Sequence, residues 1–144
     1  SARRADTGIA DLAAVQAQFK HAGVEPTWYV DRPSLHAYRS LGFKAVVGGA
    51  LTEARNRALS DAERLGKACV QVSDDVSHWE YREGPPATES GDTAANAAHA
   101  AAVCHLVSPV AAARFMLAKM RAAGAKLGGV YPLGSCARSF GGEA

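Results

Sequence analysis

The stretch GGALTEARNRALSDAERLGKACVQVSDDVSHWEY, residues 48–81, decides the fold. Gly48-Gly49 interrupts whatever precedes it. Thr52 is a fitting N-cap for a helix over about 53–65, and Gly66 stands where that helix should stop. ACVQV, residues 68–72, is short and nearly all apolar, the pattern of a strand buried on both faces. It runs straight into Ser73-Asp74-Asp75.

The same alternation extends outward. Upstream, IADLAAVQAQFKHA (9–22) carries apolar residues at helical spacing with Gly23 after it. TWYVD (27–31) reads as a strand, Pro33 opens a short helix closed by Gly42, and FKAVV (43–47) reads as a second strand. Downstream, GPPATESGDT (84–93) is a loop. The alanine-rich run 94–106 predicts a helix, and Ser108-Pro109 opens another that ends at Gly124. KLGGVY (126–131) predicts a last strand, weakened by two glycines, and residues 132–144 read as loop. Strands alternating with helices imply right-handed crossovers and an α/β fold: three layers, a mainly parallel sheet and helices on both faces. Ligands of such sheets bind beyond the carboxyl ends of the strands. Asp31, Asp74 and Asp75 all fall at such ends.

Composition narrows the function classes. The 144 residues (15.0 kDa) suffice for one domain with one core. Hydrophobic residues are 48% and charged residues 21%, a globular balance. Alanine is about a fifth of the chain and aromatics only 7%, which favours close helix packing. The net charge of +2 does not indicate a nucleic-acid or membrane-surface partner. No apolar run approaches the roughly 20 residues that span a bilayer. Cys69, Cys104 and Cys136 are widely spaced without a CxxC, which predicts reduced thiols in a reducing intracellular compartment.

Each candidate residue has a functional and a structural reading. Adjacent Asp74 and Asp75 repel each other unless a cation offsets them, and Mg²⁺ or Mn²⁺ takes one or two carboxylates plus water and phosphate oxygens. Their structural alternative is an Asx-type turn. Arg55 is either a diphosphate ligand or the helix-surface partner of Glu53 or Asp61. Arg3 and Arg4 either flank a ligand or are solvated at the terminus. His78 either joins a metal or lies exposed in the loop, which the sequence favours. Trp79 and Tyr81 either stack on a ligand or pack at a sheet edge. Nothing in the sequence positions Glu80 or Glu83 as a base. His99 and His105 do not share the i, i+4 face of a metal pair. Met116 and Met120 read as core, and Gly128-Gly129 lacks a dinucleotide fingerprint.

The Gly-Gly break, ARNRAL on a helix, an apolar strand and SDD together resemble the nucleotide-sugar half of a GT-A glycosyltransferase of the family 2 type. TWYVDRPS (27–34) is similar to that family's second strand, SARRAD (1–6) to the loop after its first strand, and KLGGVYPLGS (126–135) to a Gly-rich segment further on. Within the family, the chain resembles the glycosyltransferases associated with DNA-base-modifying dioxygenases. The resemblance implies a single GT-A-like nucleotide-sugar-binding domain over 1–144 that lacks the first strand and the acceptor-binding half. It implies Asp31 on the uracil or ribose, Arg55 near the diphosphate or base, Asp74 on the ribose, Asp75 on a divalent metal and Arg3 beside the nucleotide. Ser73 stands where a strict DxD has its first Asp.

Two functions follow as expectations. One is an enzyme that binds a UDP-sugar through Mn²⁺ or Mg²⁺ at Ser73-Asp74-Asp75, with no identifiable catalytic base. The other is a non-catalytic accessory subunit packed into a larger assembly, such as an organellar one. Both leave a sheet edge that a protein partner or oligomer would cover.

Overall fold

A computed structural model of the chain describes residues 8–83, 94, 97–98 and 101–130. Helix α1 (Ile9–His21) leads to strand β1 (Trp28–Val30), helix α2 (Leu35–Ser40), strand β2 (Ala45–Val47) and helix α3 (Leu51–Arg64). Strands β3 (Trp79–Arg82) and β4 (Cys104–Val107) and helix α4 (Pro109–Ala122) follow. The chain is mixed α/β. Its described strands form two separate pairs: β1 beside β2 in parallel and β3 against β4 antiparallel.

The parallel pair is a β–α–β unit held by aromatic packing. Trp28 and Phe43 stack with centroids 5.2 Å apart, and Tyr38 meets them at 5.6 and 6.2 Å. Leu12 from α1, Val30 and Ala45 complete this core, with Tyr38 only 1% exposed and Leu12 fully buried. The Trp28 indole donates to Gln16 Oε1 at 2.8 Å, which ties α1 to β1 and satisfies the ring's polar end. The helices stop where the glycines predict: Gly23, Gly42, Gly66 and Gly124 all have positive φ. Ser108 Oγ accepts the Ala111 N–H, the expected cap of α4.

Gly48 is required by a close approach. A Cβ there would lie 2.8 Å from Ala54 Cβ and 3.0 Å from Tyr29 Cβ, so its absence lets α3 settle on β1. At Gly49 (φ +92) the chain turns, and Glu53 accepts the Ala50 N–H at 2.9 Å. Helix α3 therefore starts at Leu51 with Ala50 as its cap, two residues ahead of the Thr52 cap that the sequence suggests.

Three expected elements differ. Residues 68–72 form no strand, and most of them are exposed rather than buried on both faces. Among the described residues, 68–73 make no backbone–backbone hydrogen bond. An apolar run becomes a strand only beside another strand, and no described strand lies against it. Second, Cys104, His105 and Leu106, placed at the end of the alanine-rich helix, belong instead to β4, with Trp79↔Val107 and Arg82↔Cys104 in register. Upstream, the described residues Ala94, Ala97, Ala98 and Ala101 are helical. Third, residues 126–130 form no strand; Gly128 lies against Met120, where a Cβ would come within 2.8 Å of its sulfur. The described residues thus do not form the expected three-layer sheet.

Because the core is small, its aromatic members carry an unusual share of stability. Tyr38→Ala should cost about 3–5 kcal/mol, a large part of the whole for a domain of this size. Urea unfolding followed by tryptophan fluorescence will show this as a much lower midpoint, whereas the exposed Leu127→Ala should leave the midpoint nearly unchanged.

Candidate functional site

The β1–β2 ladder leaves one side of β1 open. Trp28 N–H donates to the Lys44 carbonyl, and the Val30 carbonyl accepts from Gly48 N–H, so Trp28 and Val30 point their backbone toward β2. In a parallel ladder the intervening residue points the other way. The N–H and C=O of Tyr29 therefore face an open groove of about 900 Å³. Its far wall is the segment from Lys67 to Asp74, and its flank is the α3 face bearing Leu51, Ala54, Ala58 and Ala62. The Tyr29 hydroxyl donates to Asp61 Oδ2 at 3.0 Å and pins α3 to β1. That bond and burial together raise the phenol's pKa, burial being the larger cause.

Asp31, Arg55 and Asp74, far apart in sequence, all line this groove. Asp31 ends β1 and accepts the Ser34 N–H at 2.9 Å. Hydrogen bonding from Ser34 holds its carboxyl below the usual range. Its structural task is thus the start of α2. Arg55 is exposed on α3, and its carbonyl accepts from the Gln71 amide at 3.1 Å, a link from α3 to the far wall. The ion-pair alternative for Arg55 does not hold: Asp61 pairs with Arg64 at 2.9 Å and Arg57 at 3.8 Å, and Glu53 turns back to Ala50. Among the described residues Arg55 has no ion-pair partner.

Asp74 and Asp75 sit in a turn that is tied down from α1. Gln18 donates to the carbonyls of Val76 and Ser77, both at 2.9 Å. Ser73 Oγ donates to Asp75 Oδ1 at 2.6 Å, so Asp75 also has a local structural role. Asp75 does not line the groove. Arg3 lies outside the described residues. Among those described, no three His, Cys, Asp or Glu side chains gather into a metal cage. Asp74 lines the groove while the adjacent Asp75 does not; a hard ion such as Mg²⁺ takes one or two carboxylates and completes its shell with water and phosphate oxygens.

The other candidates fall in the antiparallel half. His78 contacts Ser77 Oγ at 3.0 Å and Glu80 at 3.6 Å. Trp79, Met116 and Met120 line a second, smaller apolar groove of about 290 Å³ with Gly128 and Gly129. Tyr81 packs edge-on against Phe115 at 5.6 Å.

A polar cluster on β3–β4 escapes sequence reasoning. Glu80 accepts from the Cys104 thiol at 3.0 Å and from Arg82 Nε at 3.0 Å, while His105 lies 2.7 Å from Glu83. The thiol bond and then Arg82 pull the Glu80 carboxyl below its usual pKa, and Glu80 in turn raises that of Cys104. A raised thiol pKa works against the thiolate, which is the nucleophilic form. Alternation in WEYR and CHLV was the available signal, masked in the second case by the alanines before it.

Comparison with family models, with curated proteins and with solved structures finds no match for this chain. No helix among the described residues is long and apolar enough to cross a membrane.

The lowered pKa of Glu80 has a defined sign. Its contribution to stability is complete above the unfolded carboxyl pKa and disappears as pH falls through the lower folded value. Glu80→Gln should remove that contribution, less than about 1 kcal/mol for so superficial a cluster. Denaturant unfolding from pH 6 to pH 3 should show the wild type losing more stability than the variant.

Proposed function

We propose that the chain binds a nucleoside diphosphate sugar, with UDP as the nucleotide, at the mouth of the groove beside β1. The observation that supports this reading is the convergence of Asp31, Arg55 and Asp74 on one groove, with Arg55 unpaired among the described residues. A guanidinium is the side chain best shaped for a diphosphate, presenting paired donors to two oxygens. Asp31 accepts a hydrogen bond from the uracil N–H or a ribose hydroxyl, Asp74 accepts one from the ribose, and Asp75 holds the divalent ion, Mn²⁺ or Mg²⁺. When bound, that ion supplies Lewis-acid charge neutralisation on the leaving diphosphate. The protein's own contribution is orientation: the Gln18 and Ser73 hydrogen bonds hold the Asp74-Asp75 turn, and the Gly48–Ala54 approach sets α3 and with it Arg55. The resemblance to GT-A glycosyltransferases agrees with these roles, so transfer of the sugar to an acceptor is the reaction proposed.

A specific observation favours a second reading. Asp31 and Asp75 already accept hydrogen bonds within the chain, and the groove wall opposite β1 has unpaired backbone. A non-catalytic accessory subunit would keep these local contacts and need no nucleotide.

Titration calorimetry with UDP, with and without Mn²⁺, separates the two. Binding should require the metal, since the diphosphate and the two carboxylates otherwise repel. Asp75→Asn should weaken binding at least about tenfold, or roughly 1.4 kcal/mol, with Asp74→Asn costing less. Arg55→Ala should weaken UDP by more than uridine, because its contact is to the diphosphate. A wild type with no metal-dependent UDP binding rejects the enzyme reading and leaves the accessory one.

A further inference from the structure

We draw no further inference here: the strongest candidate, the smaller apolar groove of about 290 Å³ between residues 68–71, Trp79 and the Met116 and Met120 face of α4, is an open apolar face, and nothing in the structure shows what covers it.

Discussion

Stacking of Trp28 on Phe43, with Tyr38 tilted across both rings, joins the three elements β1, α2 and β2 into one unit. Everything else is positioned from that contact. It holds β1 beside β2, which sets the carboxyl end of β1 and places Asp31 where it can start α2 through Ser34. It buries Leu12, and so brings α1 alongside with Gln16 bonded to the indole and Gln18 reaching the turn after Asp75. In an alanine-rich chain with few large side chains, three aromatic rings supply apolar area that many alanines could not.

The opposite face of β1 shows what happens where such area is lacking. There α3 is seated by the Gly48–Ala54 approach and by one hydrogen bond from Tyr29 to Asp61. Its alanines cover little surface, so a groove remains between β1 and residues 67–74. Polar candidates gather at one end of this groove and unpaired backbone lines its length.

Features decided within a few residues were legible in the sequence. Glycine after an apolar helical run predicted four helix ends, and each has the positive φ that only glycine adopts freely. The Ser108-Pro109 start needed only a hydroxyl and a fixed φ. Asp31 was legible as a strand end, but not its bond to Ser34, which depends on how the chain turns at Pro33. Arg55 was legible as a helix residue with two possible acidic partners; the structure gives Asp61 to Tyr29, Arg57 and Arg64 instead.

Residues 68–72 and 104–107 mark the boundary between the two kinds of information. ACVQV has the composition of a buried strand, yet strand identity belongs to a pair, and no described strand lies beside it. CHLV follows a helical alanine run, yet pairing with WEYR makes it a strand, since cross-strand contacts override weak local propensity. By itself the sequence determined four helix ends, the Ser108 cap and the parallel β1–β2 unit, because i to i+4 bonds, glycine φ and short-range aromatic packing are local. Only the tertiary structure decided which apolar segments are strands, which acid pairs with which base and where the groove lies. Those depend on contacts between residues tens of positions apart, which no local pattern encodes.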